Sequence, residues 1–395
     1  MSRLLVISAD CHAAARWPDY EPYFESAYLD TFREWYGADA DVRQERPGER
    51  LFDSKFLDDM ESTEAAASGG ASGTWDPARR MTELDADGVA GEVIFPGAQN
   101  YSVPFLGRRP TTDRLEKQSN EVMAAGARAY NRWLADLCAA NPDRCAGVAI
   151  LGYHDIEAAV EEIHWSKKAG LRGGIFLPAE WDDLPSYNHP RYEPVWTACE
   201  ELGIPINSHP QGTLRDAYGS LPGATGIFLS ETKWFAHRPF TFLLWSGVFE
   251  RHPELKFVLT EQMADWIPST LEYFDDLFDR PIFAQIREGL SLRPSDYWKR
   301  QCQVGASFLQ PKETELRHEI GVERIMWGSD YPHAEGTWPH TKESLAAAFA
   351  GVSNEEVAQM VGGNAARVYG FDPERLAPLV ARIGPEPGEL SGGTG

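Results

Sequence analysis

Residues 6–15 read VISADCHAAA. The segment starts as an apolar, strand-like run and then presents Asp10 and His12 two positions apart. In an extended strand positions i and i+2 share a face, so this carboxylate and this imidazole point at one object. A divalent metal ion accepts both donors. The plainer reading is a strand end followed by a turn aspartate and a surface histidine. Deciding between them requires more ligands elsewhere, and a fold that brings them together.

Seven further strand-like runs follow. They occupy residues 89–95, 145–150, 171–177, 204–208, 255–259, 303–306 and 325–327, with 4–8 as the first, and helical stretches separate them. Such alternation is the signature of repeated βα units. A distorted (β/α)8 TIM barrel, an α/β fold, accounts for eight strands in one 395-residue domain. An open doubly wound sheet is the alternative, but no Gly-x-Gly-x-x-Gly follows any strand. The barrel is expected over residues 1–380, with an insertion after the first strand at 39–80. The AAASGGASG tract at 65–73 gives that insertion a flexible centre, either a mobile cover or a loose surface loop. Residues 381–395, rich in Pro and Gly, read as a flexible tail. Gly173 and Gly174 suit close backbone packing in the barrel wall.

Acidic residues outnumber basic ones 60 to 37, for a net charge of −23. That balance disfavours a nucleic-acid partner and an anionic membrane surface. No apolar run is long enough to span a bilayer, and the N-terminus lacks a signal-peptide pattern. Five cysteines without C-x-x-C spacing read as free thiols of a cytoplasmic protein. Cys11, facing away from its neighbours, reads as a packing residue. The expected partner is a small-molecule substrate.

Barrel enzymes place their chemistry at the C-terminal ends of the strands. The first strand delivers Asp10 and His12, the fifth His209, the sixth Glu261, and the eighth Asp330, with His333 three residues later. Asp10, His12, His209 and Asp330 make a sensible ligand set for a divalent ion with open positions. Glu261 is either a further ligand or an acceptor that orients an imidazole. His237 lies among Trp234, Phe235, Phe240 and Phe242, which suits either an aromatic-lined pocket or simple packing on a helix. Arg238 is either an anchor for a substrate carboxylate or a rim ion pair, and Trp338 a pocket wall. His154, His164, His189, His252, His318 and His340 read as surface, turn or cap residues.

The motifs ISADCH (7–12), FERHPELKFVLTEQMADWIP (249–268), RIMWGSDYPH (324–333) and GGNAARVYG (362–370) occur in this order. With them the chain resembles the amidohydrolase-related family, the aminocarboxymuconate-semialdehyde decarboxylase-like branch of the metal-dependent hydrolase superfamily, over about residues 4–371. The resemblance implies a distorted eight-stranded barrel holding zinc or another divalent metal. Its members cleave amide-like, lactone or other acyl bonds, or remove a carboxyl group non-oxidatively from an aromatic acid. His209 and Asp330 match the family's fifth- and eighth-strand ligands. Asp10 stands where much of the superfamily has a histidine, and Glu261 stands where many relatives have the sixth-strand histidine. The extra carboxylates leave a second ion open, but one ion is the expectation, zinc first, with iron or manganese as alternatives. Strand four offers no lysine for a carbamylated bridge. Members are often dimers, so a homodimer is allowed.

On this reading the expected function is a metal-dependent hydrolase. It would use metal-activated water to cleave an acyl, amide or thioester bond of a small, largely apolar carboxylic-acid derivative. Asp330 is the expected base and Glu261 the alternative, with His333 or His237 donating to the developing oxyanion. The alternative function is non-oxidative decarboxylation of an aromatic or unsaturated acid, against which the Glu261 replacement counts. A non-catalytic binding barrel is the third reading.

Overall fold

The stretch 6–15 becomes β1, Ile7–Ala13, with every residue buried. In this computed structural model the described residues are 3–45, 70–97, 103–105, 118–178, 184–210, 221–333 and 335–391. Seven more strands follow: β2 Gly91–Pro96, β3 Cys145–Ala149, β4 Gly174–Leu177, β5 Ile206–Ser208, β6 Phe257–Thr260, β7 Cys302–Ser307 and β8 Ile325–Gly328. Each pairs in parallel with the next, in the order β1 to β8. Just beyond β8 the Asp330 amide donates to the Asp10 carbonyl at 2.8 Å, and the His12 amide donates to the Tyr331 carbonyl at 2.7 Å. These bonds return the chain to β1. The distorted (β/α)8 barrel is the fold expected.

Strand alternation sorts side chains into two layers. Ile7, Ala9, Val93, Phe95, Ala146, Val148, Phe176, Val258 and Met326 share one buried cluster, contributed by six strands. Ile175, Leu177, Phe257, Leu259, Val304 and Trp327 belong instead to a cluster shared with the surrounding helices. Helices start at local signals. Asp76 accepts from the Ala78 and Arg79 amides before the helix Pro77–Ala86, and Asp155 caps Ile156–Lys168. Gly174 has φ +87, and a Cβ there would stand 1.9 Å from the Pro205 carbonyl, so only glycine fits.

Three expectations are corrected. The first strand extends past Ser8 and contains Asp10 and His12, because a register shift between Ser8 and Cys11 and pairing on both sides carry the ladder through the polar residues. Of the 39–80 insertion, residues 46–69 lie outside the described residues, but 70–80 are ordered. Gly70–Thr74 is a 3-10 helix, Thr74 accepts from the Ala14 amide at 3.3 Å, and Arg80 is completely buried. The tail to residue 391 is ordered as well. A helix Pro387–Ser391 inserts the fully buried Leu390, the Gly351 amide donates to Ser391, and the Leu4 amide donates to Pro385. One leucine in a Pro/Gly-rich stretch supplied the apolar anchor.

Candidate metal centre

The strands are parallel, so their C-terminal ends lie at one end of the barrel. Asp10 and His12 come from β1, His209 follows β5 directly, Glu261 follows β6, and Asp330 sits two residues past β8. Asp10, His12, His209 and Glu261 bring one ligand atom each to within 4.8 Å of one another, and His12, Asp330 and His333 do the same. Asp10 Oδ1 lies 3.5 Å from both His12 Nε2 and His209 Nε2. His12 Nε2 is 3.2 Å from Asp330 Oδ1, and His209 Nε2 is 3.2 Å from Glu261 Oε2. The two groups share His12 and therefore form a single site for one divalent ion.

Both imidazoles are oriented from behind. His12 Nδ1–H donates to the Pro96 carbonyl at 3.3 Å, and His209 Nδ1–H donates to the Pro210 carbonyl at 3.0 Å. A carbonyl only accepts, so Nδ1 carries a proton and Nε2 is the atom aimed inward, the one that ligates a metal once it carries no proton. The Ser307 hydroxyl holds the other oxygen of Asp10, Oδ2. Asp10 Oδ1, His12 Nε2, His209 Nε2 and Asp330 Oδ2 are buried with no hydrogen-bond partner. Four buried atoms of metal-ligating type, three of them gathered with Asp10 Oδ1 3.5 Å from both imidazole Nε2 atoms, are each costly if left unsatisfied and fit a divalent cation.

The backbone is strained at the same place. Glu261 has φ 56° and Asp330 φ 58°, left-handed conformations that cost a non-glycine residue about 1 kcal/mol or more. The Glu261 amide is held by the Gly305 carbonyl at 2.9 Å and the Asp330 amide by Asp10. Ser329 is pinned between them and β1, its amide donating to Ser8 Oγ at 2.8 Å.

The electrostatics call for a cation. Burial opposes ionisation of Asp10, but the imidazoles of His12 and His209 outweigh it and keep the carboxyl far below its usual range. Burial opposes ionisation of Asp330 too, and His333 and His12 reverse the balance. Burial, then Asp330 and Asp10, push the Glu261 carboxyl well up. His12 is raised, since Asp10 and Asp330 overcome the cost of burying its cation.

His333 joins this assembly. Its Nδ1–H donates to Asp330 Oδ1 at 2.8 Å, and its ring lies 4.2 Å from that of His12. His237 is outside both groups, its ring stacked 3.6 Å from Trp266. Arg238 lies over the rings of Phe235 and Phe242, and Trp338 meets Tyr331 edge-on at 5.2 Å. Cys11 is buried against Ser329, as a packing residue should be. His252 is not a surface residue. It is buried, with its two nitrogens each 2.9 Å from a carboxylate, Glu200 and Glu193. Sequence reasoning missed Ser307, Phe95, which packs 4.9 Å from His209, and Arg80. A serine closing the seventh strand was the one visible signal among these.

Residues 9–371 match the family described as Amidohydrolase. The chain belongs to the amidohydrolase family. A γ-resorcylate decarboxylase from Rhodococcus jostii is 32% identical over 224 residues, 52% of this chain and 66% of that protein. Another from a Rhizobium species is 29% identical over 268 residues, 64% of this chain and 76% of that protein. Among solved structures, the 5-carboxyvanillate decarboxylase of Novosphingobium aromaticivorans, complexed with manganese and 4-hydroxy-3-methoxy-5-nitrobenzoic acid, is 19% identical with a TM-score of 0.65, covering 93% of this chain and 96% of that one.

The sequence relatives overturn the expected hydrolase that cleaves acyl, amide or thioester bonds, since they are named as γ-resorcylate decarboxylases. The physical reason lies in the site. A divalent ion on carboxylates and imidazoles at strand ends serves either reaction, so the ligands alone do not separate them. Glu261 in place of a histidine was too slender a discriminator. Among the described residues no helix is long and apolar enough to cross a membrane.

Proposed function

We propose that this amidohydrolase-family protein is a metal-dependent, non-oxidative decarboxylase of a hydroxylated aromatic carboxylic acid. The observation that carries the reading is the similarity to γ-resorcylate decarboxylases, in a chain whose buried, unpaired donors converge where barrel enzymes work. Asp10, His12, His209 and Asp330 would hold the ion, with Glu261 on the more open side, where 24% of its side chain is exposed. A divalent ion there supplies positive charge for the substrate's carboxylate and an adjacent phenolic oxygen. Manganese is the preferred ion over zinc. Three carboxylates beside two imidazoles make an oxygen-rich donor set, and the 5-carboxyvanillate decarboxylase is complexed with manganese.

Decarboxylation replaces a carboxylate on a ring carbon by a proton. The carbon–carbon electron pair stays with the ring and carbon dioxide leaves. The chain must therefore deliver one proton to that carbon. Asp330, hydrogen-bonded through Oδ1 to His333 Nδ1–H, is the group we assign to that transfer; it would first take up a solvent proton relayed by the partly exposed His333 and then pass it to the ring carbon as carbon dioxide leaves. Burial of the ligands keeps bulk water from competing.

The test is incubation of manganese-loaded protein with γ-resorcylate, 5-carboxyvanillate and simpler hydroxybenzoates in heavy water. Release of carbon dioxide, with one deuterium at the vacated ring carbon, is the expected result. No carbon dioxide from any of these acids with metal-loaded protein would overturn the proposal.

A further inference from the structure

We propose that Arg80 is a positioning residue for the metal centre, locking the end of β1 that carries Asp10 and His12 to the segment that carries Asp330. The guanidinium is completely buried. Its Nε and Nη2 form a fork on Glu92, at 2.6 and 2.7 Å. Its Nη1 donates to the His12 carbonyl at 2.9 Å and to the Gly73 carbonyl at 3.0 Å. Its Cζ lies 4.9 Å from the ring of Tyr331, the residue after Asp330.

The carbonyl it holds belongs to a candidate ligand, and the ring it faces adjoins another. The His12 amide in turn donates to Tyr331. The same helix grips Tyr331 a second time, through a hydrogen bond from the Tyr331 hydroxyl to Glu83, itself fixed by Arg79 at 2.5 Å. The helix Pro77–Ala86 therefore clamps the β1–β8 junction at two points. Lysine has no planar fork and offers three donors where Arg80 makes four bonds, so it cannot reproduce the bidentate pair on Glu92 together with both carbonyls. A buried ion pair is weak evidence for stability, because well-packed apolar residues in place of both partners often fold as well, so the contacts of this pair to the ligand-bearing segment point to a geometric role. Groups that orient metal ligands from behind typically change affinity about 10–100-fold when removed.

This inference rests on the metal-centre reading, and the experiment separates the two. Manganese affinity is measured by chelator competition on the full-length wild type, Arg80→Lys, Glu92→Gln and Arg132→Lys. Arg132 pairs with Glu162, is less buried than Arg80, and among the described residues hydrogen-bonds to no candidate ligand. The visible absorption of bound cobalt reports ligand geometry in parallel. Arg80→Lys is expected to weaken manganese binding about 10–100-fold and change the cobalt spectrum. Arg132→Lys is expected to lose thermal stability with wild-type affinity and spectrum. A folded Arg80→Lys with both unchanged overturns the positioning role. If that variant does not fold, Glu92→Gln decides in its place, since releasing one arm of the fork should alter the cobalt spectrum and wild-type binding there overturns the role equally. Wild-type protein that binds neither ion overturns the metal-centre reading instead.

Discussion

Replacing Gly328 by alanine tests whether the last residue of β8 is glycine in order to seat Asp10. A Cβ at this position would lie 2.7 Å from Asp10 Cβ, 2.9 Å from Ser307 Oγ and 3.2 Å from the Asp10 nitrogen. Relaxed carbon–carbon contacts fall at about 3.5–4.0 Å, so something must move by about 1 Å. The neighbours have little freedom. Ser307 pairs with Gly328 in the β7–β8 register and bonds to Asp10 Oδ2, and the Asp10 carbonyl is held by the Asp330 amide. The strain falls on Asp10, whose Oδ1 faces both His12 and His209. Overpacking of this kind costs about 1–3 kcal/mol, offset by about 0.4–1 kcal/mol from the restricted unfolded chain. A net loss of about 1–2 kcal/mol is expected, a fall in Tm of a few degrees. Manganese affinity should drop at least about tenfold, the equivalent of about 1.4 kcal/mol of misplaced ligand. Gly203→Ala is the control. Gly203 has φ +63 and nothing within 4 Å of the added Cβ, so alanine there strains the backbone without touching the site. Scanning calorimetry and chelator competition on both variants decide the matter. Gly328→Ala with wild-type affinity, or Gly203→Ala with an equal loss of affinity, would refute the reasoning.

His209→Ala removes an inward-facing Nε2 and should reduce manganese affinity by more than about 100-fold, abolishing carbon dioxide release; retention of a full equivalent of tightly bound metal would contradict the assignment. Chelation should lower Tm, because a ligand at 100 times its Kd stabilises by about 2.7 kcal/mol, and a Tm indifferent to manganese would count against a built site. Burial raises the Asp87 carboxyl from 3.8 to about 6, so the folded state binds this proton more tightly than the unfolded chain does. Its contribution to stability is complete below about pH 4 and is lost as pH rises through about 6, amounting to about 3 kcal/mol. Asp87→Asn keeps the acceptor for the Thr341 amide and should flatten denaturation midpoints between pH 4 and 7 relative to wild type; parallel profiles would show the shift is absent.

The barrel was legible because each strand is a short apolar run between helical stretches, and the open doubly wound alternative lacked its Gly-x-Gly-x-x-Gly turn. The strand ends were equally legible, and with them Asp10, His12, His209, Glu261 and Asp330. Pattern reading ended the first strand too early, at residue 8, and failed where long-range contacts order a weak local sequence, as at Gly70–Thr74 and Leu390. Arg80 was invisible because nothing in RRMTEL distinguishes a buried arginine from the half-buried Arg79 beside it. The reaction was illegible for a chemical reason. Ligand types report that an ion is held, whereas bond choice depends on the substrate and on where a proton is delivered.

Buried polar atoms without a hydrogen-bond partner occur at both ends of the barrel, as at Arg172 Nε and Arg324 Nε, but a set of metal-ligating type gathers at one end, and that bears on function. On the segment leading into β6, His252 is buried but satisfied on both nitrogens, and Gln301 next to β7 spends its amide on the His252 and Leu255 carbonyls. At the strands' C-terminal ends, the left-handed backbones of Glu261 and Asp330 and the unpaired atoms of Asp10, His12, His209 and Asp330 lie together. A chain selected only for stability would relieve that strain with glycine and pair those atoms. Stable proteins break local rules in this concentrated way where a ligand supplies the missing interactions. The rigid surroundings, from the Ser8–Ser329 bond to the Arg80–Glu92 fork, keep the donors apart and aimed until a cation and a substrate complete them.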